Sequence, residues 1–424
     1  MSAPSRLLTV AIAGFGTVGR SAARLLCEQH QGALRLDLVC TRRPEAARRD
    51  APWAPPAVRW TDRAEDLLNA RTDIVVELIG GIEPARTWIA AALRAGRAVV
   101  TANKQVIAEH GPELFALARS CGSALRFEAA VGGAVPVIRG LQDGLAGDRV
   151  TRIAGVVNGT CNYVLGRMTD EGLSFDDAVR EAQARGFAEA DPAADLDGFD
   201  ARAKLAILAS IGFGDHVPPR GIRAGSIRGI DAGDIAAAAS VGRVIRQVAW
   251  AGRTAPETDR LAAGVSGALV PRDSWLGRAR GPENVVLVQG ERSGTTVFAG
   301  QGAGGDATAV AVVSDLLALA SERGVPRAWA ASAAPGVCAD QPRPHYVRVS
   351  AAATAAAVGP ATLLRDAGIA TEHVLAAPGR PGARWAALVR PCRQDDLDRA
   401  LGPVVPAGGT DGAVISLPLF DAEP

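Results

Sequence analysis

The stretch RLLTVAIAGFGTVGRSAARLLCEQ, residues 6–29, decides the fold class of this chain. It has the pattern of an apolar strand, a glycine turn and a helix with apolar residues at helical spacing. Within it, Gly14, Gly16 and Gly19 form the pattern G-x-G-x-x-G. The first glycine permits a tight turn, the second lets a pyrophosphate approach the backbone, and the third allows close helix packing. The helix N-terminus then faces the phosphates, so the stretch predicts a dinucleotide site.

Strands and helices alternate after this stretch. We predict strands at Leu34–Cys40, within DIVVELIGG (residues 73–81) and at Ala98–Thr101, with a helix over residues 84–95 before the last of them. This order predicts an α/β fold with a Rossmann-like doubly wound parallel sheet. The alternation makes the glycine pattern far more specific, because the pattern alone is weak in a chain with 48 glycines.

The end of the second strand indicates which dinucleotide binds. Sites that prefer NAD usually place Asp or Glu there, where it binds the ribose hydroxyls. This chain has Thr41, Arg42 and Arg43 instead. Because guanidinium groups suit a 2′-phosphate, we predict a preference for NADP(H) over NAD(H). The alternative is a solvated arginine pair in an arginine-rich protein.

Composition limits the class of partner. At roughly 150 residues per domain, a chain of 424 residues predicts two or three domains. The net charge of +1, from 46 basic and 45 acidic side chains, favours neither nucleic acid nor an anionic membrane, so we expect a small-molecule partner. The six cysteines lack paired spacing, so they indicate neither a disulfide scaffold nor a zinc site. We therefore predict a cytoplasmic location. No uncharged apolar run reaches the roughly 18 residues that span a bilayer.

The chain contains only two lysines, Lys104 and Lys204, whereas its other basic residues are arginines. Lys104 directly follows the strand predicted at Ala98–Thr101, where ligands of parallel sheets bind. Lys204 follows Asp200 by four residues, which places both on one helix face. An exposed salt bridge is the alternative, but arginine would serve it equally well. Since lysine, with an ordinary pKa of about 10.4, can give up and recover a proton, the two lysines predict proton-transfer chemistry.

Acidic residues are concentrated just before Lys204, in an otherwise balanced chain. Such carboxylates can hold a substrate ammonium group. A calcium loop fails on spacing, because its sixth position requires glycine and is Asp200 or Leu196 in the two frames that start at Asp195 and Asp191. The cluster consists of Glu189, Asp191, Asp195, Asp197 and Asp200.

Several strings occur together and in one order: GFGTVG, DIVVELIGG, TANK, FEAAVGGAVPVI, NGTCNY, FAEADPAADLDGFDARAK and GAGGDATAVAVVSDL. Over about residues 7–320 the chain resembles the homoserine dehydrogenases. The resemblance implies reversible hydride transfer between NAD(P)H and L-aspartate 4-semialdehyde, which gives L-homoserine on the route to threonine and methionine. The alternatives are another NADP-dependent dehydrogenase of small amino acids or semialdehydes, and a non-catalytic NADPH-binding regulator.

The resemblance also implies roles for individual residues. Lys104 and Lys204 correspond to the catalytic pair, with Asp200 orienting Lys204 or a bound water, and which lysine moves the proton stays open. Asn158, in the N-G-T string, matches a glycosylation pattern that carries no meaning in a cytoplasmic chain. The substrate-binding residues are Glu189, Asp195, Gly159 and Thr160, and a monovalent cation (Na⁺ or K⁺) would lie near Glu128, Val131 and Gly133, mostly on backbone carbonyls. The cofactor-binding residues are Gly14, Gly16, Thr17, Val18, Gly19, Arg42, Arg43, Thr101 and Gly302.

The expected organisation has five parts. Residues 1–135 form the NAD(P)-binding domain, 136–304 an α+β substrate-binding and dimerisation domain with strands in GVVNGT and NVVLVQG, 305–331 a helix returning to the first domain, and 332–344 a linker. Residues 345–424 have a βαββαβ pattern that resembles an ACT regulatory domain. The resemblances imply a homodimer or homotetramer and threonine as an effector. The Asp and Gly usual in the first turn of an ACT domain are replaced within residues 351–357, which leaves open a role in assembly alone.

Overall fold

The structure is a computed structural model that describes residues 7–30, 32–254, 260–321, 337–338, 341–350, 359–376, 384–404 and 413–420. The chain divides into two compact units. The first comprises Met1–Val150, Ala206–Pro219 and Phe298–Ala334, and the second comprises Thr151–Leu205, Arg220–Val297 and Pro335–Pro424.

The first unit contains a six-stranded parallel sheet. Its strands are β1 (Leu8–Ala13), β2 (Leu34–Cys40), β3 (Arg59–Thr61), β4 (Ile74–Glu77), β5 (Ala98–Thr101) and β6 (Leu125–Arg126). They lie in the order β3-β2-β1-β4-β5-β6, and all neighbours are parallel. The last four residues of β1 are buried, as an apolar strand covered on both faces requires. The predicted doubly wound sheet is therefore confirmed.

Helices connect these strands in the way that parallel pairing requires. They are α1 (Thr17–Gln29), α2 (Pro44–Arg49), α3 (Ala64–Leu68), α4 (Ala85–Arg94) and α5 (Lys104–Ser120). After β6 comes α6 (Val137–Arg139), which continues as a π-helical turn (Gly140–Gly144). A short 3₁₀ turn (Glu128–Ala130) precedes α6.

Most of a mixed seven-stranded sheet belongs to the second unit. Its strands are β7 (Val150–Val156), β8 (Arg223–Ala224), β9 (Arg243–Arg253), β10 (Leu261–Pro271), β11 (Glu283–Gly290), β12 (Gly294–Gln301) and β13 (Val337–Cys338). The order is β12-β11-β7-β9-β10-β13, with β8 also paired to β10. β9 runs antiparallel to both β7 and β10, as predicted for this part of the chain.

The helices that follow β7 carry much of the candidate site. They are α7 (Gly159–Glu171), α8 (Phe175–Ala184), α9 (Ala193–Leu196), α10 (Phe199–Phe213), α11 (Ala232–Ser240) and α12 (Trp275–Arg278). The string GVVNGT differs from the prediction of a single strand, because β7 ends at Val156 and α7 begins at Gly159. The reason is Asn158, whose side chain accepts the backbone N–H of Cys161 and so caps the new helix.

The helix α13 (Gly305–Ala320) belongs to the first unit, although it follows the second unit's sheet in sequence. It packs against α1, and its buried residues Ala309, Val312 and Leu316 share one apolar cluster with β1 and β2. The first unit is therefore completed by a late segment of the chain.

The C-terminal part forms a four-stranded antiparallel sheet with two helices. Its elements are β14 (Arg343–Val349), α14 (Pro360–Asp366), β15 (Thr371–Ala376), β16 (Trp385–Cys392), α15 (Gln394–Leu401) and β17 (Val414–Pro418). The strand order is β15-β16-β14-β17. The predicted βαββαβ pattern is confirmed. The turn at residues 351–358, where the ACT pattern is altered, lies outside the described residues.

Both faces of β14, in the middle of this sheet, are buried. One face, with Val347 and Trp385, packs on α14 and α15. The other, with Tyr346 and Leu417, joins a cluster that includes residues of α7, α8 and α11. The predicted linker over residues 332–344 lies partly outside the described residues, and within it Val337–Cys338 pair with β10. The module therefore shares its core with the rest of the second unit.

Candidate active site

The glycine turn between β1 and α1 has the geometry of a pyrophosphate site. Gly14 has φ +99°, and a Cβ there would lie 2.5 Å from the carbonyl oxygen of Leu78. A Cβ on Gly19 would collide with the carbonyl oxygen of Gly14. By contrast, a Cβ on Gly16 would meet no atom of the described residues within 4 Å. Gly14 and Gly19 are thus required by packing, whereas the open space over Gly16 suits the close approach of a ligand. The residues present fit a dinucleotide.

Three further predicted cofactor residues, Thr17, Val18 and Gly302, lie at the start of α1 and in the loop before α13. Thr17 begins α1, and a Cβ on Gly305 would lie 2.8 Å from its Cγ2 atom, so the start of α13 adjoins the start of α1. Gly302 is buried in the loop that leads to α13, and a Cβ on Gly133 would lie 2.7 Å from its carbonyl carbon. Val18 is half-buried on the first turn of α1.

Arg42 and Arg43 follow β2 and are both exposed. The backbone N–H of Thr41 donates to the carbonyl oxygen of Thr61 at 2.8 Å, which fixes the end of this strand against β3. Among the described residues, neither guanidinium has an ion-pair partner. Both are consequently available to an anionic ligand at this edge of the sheet.

Side chains at the ends of β4 and β5 hold the loop before Lys104. Glu77, which is 1% exposed, accepts a hydrogen bond from Thr101 Oγ1 at 2.6 Å and another from the backbone N–H of Ile79 at 2.9 Å. Thr101 Oγ1 in turn accepts the N–H of Asn103, whose side-chain oxygen caps α5. Lys104 is the first residue of α5 and is half-buried. Its position at the carboxyl end of β5 is therefore fixed by a buried network.

Lys204 and Asp200 lie on one face of α10 in the second unit. Lys204 Nζ is 2.8 Å from Asp200 Oδ2 and donates to the carbonyl oxygen of Val157, also at 2.8 Å. The two side chains are only 13% and 8% exposed, respectively. The pair is therefore not the exposed surface bridge that was the alternative interpretation of the sequence.

Asn158 connects this pair to Asp195. Its Nδ2 donates to Asp195 Oδ1 at 2.7 Å and to Asp200 Oδ2 at 2.9 Å. Its Oδ1 accepts the N–H of Cys161 at 2.8 Å. The carbonyl oxygen of Asp195 accepts from Gln247 Nε2 at 3.1 Å and from the Cys161 thiol at 3.2 Å. Complete burial, followed by the charges of Asp195 and Asp200, raises the pKa of that thiol well above its usual value.

The structure separates the acidic cluster that the sequence shows. Asp197 accepts from Arg228 Nε at 2.9 Å, and Asp191 Oδ1 accepts the N–H of Ala193 at 3.1 Å, so both have structural partners. Glu189 is exposed in the loop before α9. Its loop is held near α7, because Thr160 Oγ1 donates to the carbonyl oxygen of Phe187 at 2.7 Å. Asp195 and Asp200 are thus joined to Lys204, whereas Glu189 lies apart from their hydrogen-bond network.

Glu128 lies in a buried charged cluster of the first unit. Its two carboxylate oxygens each accept a backbone N–H, those of Ile138 and Arg139, both at 2.9 Å. Burial, and then nearby Asp315, raises the pKa of Glu128 to about 7. Val131 and Gly133 are buried close by in sequence. Among the described residues no group of three or more His, Cys, Asp or Glu side chains could hold a metal ion.

Three residues of these networks received no role from the sequence: Glu77, Asn103 and Asn158. All three lie within strings that carried the resemblance. Glu77 ends an apolar strand and Asn103 follows one, which is a usable signal for a ligand-facing polar group. Asn158 follows β7 in the same way.

Two family models match the chain. One, described as "Homoserine dehydrogenase", matches residues 136–317, and the other, "Homoserine dehydrogenase, NAD binding domain", matches residues 14–128. A homoserine dehydrogenase of Synechocystis is 41% identical over 312 residues, which cover 73% of this chain and 72% of that protein. One of Mycobacterium leprae is 42% identical over 328 residues, covering 76% and 74%.

Solved structures agree with these matches. A homoserine dehydrogenase from Thiobacillus denitrificans superposes with a TM-score of 0.86 at 30% identity and covers 98% of this chain and 99% of its own. A hyperthermophilic archaeal homoserine dehydrogenase in complex with NADPH has a TM-score of 0.63 at 27% identity, and covers 75% of this chain and 99% of its own. Within the part of the chain that the structure describes, no helix is both long and apolar enough to cross a bilayer.

Proposed function

The chain belongs to the homoserine dehydrogenase family and is an NAD(P)-dependent oxidoreductase, and from this premise we propose that Lys104 and Lys204 carry its proton chemistry, with NADP(H) as the preferred cofactor. The observation that supports this most strongly is the setting of Lys204. A largely buried ammonium group held by Asp200 and the Val157 carbonyl is a preorganised donor rather than a surface charge.

The reaction requires a group that stabilises an oxyanion and then protonates it. A reduced nicotinamide dinucleotide held at the turn of Gly14, Gly16 and Gly19 would supply the hydride for the aldehyde carbon of aspartate semialdehyde. The carbonyl π electrons then reside on oxygen, and a lysine ammonium stabilises this alkoxide and transfers a proton to it. In the reverse direction the neutral amine accepts the hydroxyl proton. Arginine could perform only the stabilising part, because it does not release its proton in this range.

Lys204 has the donor capacity for this role. An ammonium group has three N–H bonds, and within the described part of the chain two of them are directed at Asp200 and Val157. The third is available for the substrate oxygen. Lys104, at the carboxyl end of β5, is the second member of the pair, and the choice between the two as proton donor stays open.

Substrate recognition is proposed for four residues. Gly159 and Thr160 begin α7, and the N–H groups at a helix start suit the substrate carboxylate, while Asn158 takes the N–H of Cys161. Asp195 and Glu189 would bind the substrate ammonium. Of these two, Asp195 has the stronger structural support, since it shares Asn158 with Asp200.

The monovalent cation, the subunit number and the regulator are finer proposals. Na⁺ or K⁺ would take carbonyl oxygens of Glu128, Val131 and Gly133. The family resemblance implies a homodimer or homotetramer, which sedimentation equilibrium distinguishes. Threonine sensing by the C-terminal module stays a prediction, as does a cytoplasmic location, which the free thiols of Cys27, Cys40, Cys121, Cys161 and Cys392 support.

The decisive experiment is NADPH oxidation with aspartate semialdehyde by the wild type and by Lys104→Arg and Lys204→Arg. Both variants keep the charge, so we expect folded proteins whose turnover falls at least about 100-fold, the usual scale for losing a general acid or base. Arg180→Lys, an exchange at an exposed ion pair on α8, is the matched control and should retain full turnover. Wild-type turnover in both lysine variants would refute the proposal.

A further inference from the structure

We propose that Asn158 is a positioning residue of the reaction, whose carboxamide holds the substrate-side carboxylate of Asp195 and the lysine-side carboxylate of Asp200 in one fixed arrangement. This inference rests on the proposed function, because it gives Asp195 to the substrate and Asp200 to Lys204. Nδ2 lies 2.7 Å from Asp195 Oδ1 and 2.9 Å from Asp200 Oδ2.

The orientation of the Asn158 carboxamide is set by the start of α7. Its Oδ1 accepts the N–H of Cys161 at 2.8 Å, so Nδ2 must point the other way. The two hydrogens of Nδ2 are then directed at the two carboxylates. An asparagine is needed for this, because Ser, Thr and Asp can cap a helix but do not supply two N–H donors.

Asn158 is 3% exposed, so its hydrogen bonds to the start of α7 and to the two carboxylates are all made in the protein interior. Asp200 Oδ2 receives two donors, Asn158 Nδ2 and Lys204 Nζ at 2.8 Å. Hydrogen bonds to a charged acceptor are the stronger kind, and two like charges brought close together need such donors. The direction in which Asp200 presents Lys204 therefore depends on Asn158.

Other titratable groups lie near Asn158, Asp195 and Asp200, and the test must distinguish their effects from that of Asn158. Lys204 on α10, Asp197 after α9 and the Cys161 thiol on α7 all interact electrostatically there. Each is unchanged in the variants below, so a difference between two substitutions at position 158 reports on that side chain alone.

The test uses two substitutions that keep the helix cap. Asn158→Ser retains an oxygen that can accept the N–H of Cys161 but replaces the two amide N–H donors by a single hydroxyl on a shorter side chain. Asn158→Asp also retains the acceptor, removes both donors and adds a third carboxylate. The control is Ser174→Ala, which removes the equivalent cap of α8, where Ser174 Oγ accepts the N–H of Asp177 at 3.1 Å. Because it removes a helix cap and leaves Asn158 and both carboxylates unchanged, this control shows what loss of a cap alone does to the kinetics.

With homoserine and NADP⁺, we expect Asn158→Ser to lower kcat/KM about 100-fold, through a higher KM for homoserine and a lower kcat, because two hydrogen bonds to charged groups are lost. The KM for NADP⁺ should not change. Asn158→Asp should be worse at high pH and approach Asn158→Ser as the pH falls, since a protonated carboxyl regains one donor. Ser174→Ala should follow the wild type at every pH. Wild-type kinetics in both Asn158 variants would overturn the inference.

A second readout does not depend on turnover. At high pH the melting temperature of Asn158→Asp should lie below that of Asn158→Ser, and the gap should close as the pH falls, because the added charge repels Asp195 and Asp200 only when it is ionised. An inactive wild type would reject the proposed function, and the melting comparison would still decide the role of Asn158. Coincident melting temperatures across the pH range, in that case, would reject the inference itself.

Discussion

At the scale of single residues, Arg42 and Arg43 carry the prediction of cofactor preference. Both guanidinium groups are exposed just after β2. We expect Arg42→Ala combined with Arg43→Ala to raise the KM for NADPH about 10- to 100-fold, because a phosphate loses charge-assisted hydrogen bonds. The KM for NADH should stay the same, since NADH has no 2′-phosphate. Steady-state kinetics with both cofactors measures this.

A matched control lies on the neighbouring helix. Arg48 is exposed in the last turn of α2, and Arg48→Ala removes the same charge from the same part of the surface. Its KM for NADPH should match that of the wild type. Equal increases for NADPH and NADH in the double variant would instead indicate that the arginines do not contact the 2′-phosphate.

The sequence was most informative where a residue type is rare and least informative where partners are distant. Lys204 could be selected because lysine is almost absent from the chain, and Asp200 because it lies one helical turn away. The role of Asn158 could not be found this way. Its partner carboxylates lie 37 and 42 positions later in the chain, so only the folded arrangement of α7, α9 and α10 brings them together.

At the scale of elements, the glycines of the turn between β1 and α1 have different roles: Gly16 leaves space for the ligand, and Gly19 is needed for packing. Gly16→Ala should fold like the wild type, because an added Cβ meets no atom of the described residues within 4 Å, yet it should weaken NADPH binding at least about 10-fold by blocking the pyrophosphate. Gly19→Ala should lose about 1–3 kcal/mol of stability, because its Cβ collides with the carbonyl of Gly14. Calorimetry of NADPH binding and thermal unfolding measure the two effects.

Opposite results for these glycines would contradict the assignment of their roles. If Gly16→Ala had a melting temperature far below that of the wild type, Gly16 would be required for packing and not for the approach of the pyrophosphate. If Gly19→Ala kept the wild-type melting temperature, the close contact of α1 with the turn would not be needed. Both proteins can be compared at one pH and ionic strength.

The same elements explain how much of the fold was predictable. The strand, turn and helix of residues 6–29 are specified by local pattern, and so are β2 and β5, whose bounds match the prediction. The prediction of a single strand over GVVNGT was wrong, because the apolar residues of β7 are followed almost at once by Asn158, the N-cap of α7. β7 ends at Val156, one residue before the apolar run does, and Asn158 then caps α7.

At the scale of the molecule, Asp234 attaches the C-terminal sheet to α11. This fully buried carboxylate accepts from Tyr346 Oη at 2.7 Å and from Arg348 Nε at 3.0 Å. We expect Asp234→Ala to lower the free energy of unfolding by about 3–5 kcal/mol, because one partner of a buried ion pair is removed. Urea unfolding followed by circular dichroism provides the measurement.

The comparison for this prediction is an exposed ion pair that also involves the C-terminal module. Arg223 Nη1 is 2.9 Å from Asp395 Oδ1, and the two side chains are 43% and 64% exposed. Asp395→Ala should cost less than about 1 kcal/mol. Equal losses for the two variants would mean that burial does not strengthen the attachment at Asp234.

The pattern of β14 predicted a strand but not its surroundings. Tyr346 and Val347 are adjacent apolar residues that point to opposite faces, and both are fully buried. A strand that is buried on both faces needs a packing partner on each face of the sheet. The sequence could not identify α7, α8 and α11 as the second cover, since nothing local encodes which distant surface is apolar and complementary.

The late position of α13 has a consequence for biosynthesis. While the ribosome is still adding residues before 305, the apolar surface of α1 that α13 covers has no cover from that helix. The nascent chain therefore exposes this apolar surface during most of its translation. Transiently exposed apolar surface of this kind promotes aggregation. Ribosome stalling within the second unit would release a polypeptide that is more dependent on chaperones than the finished enzyme.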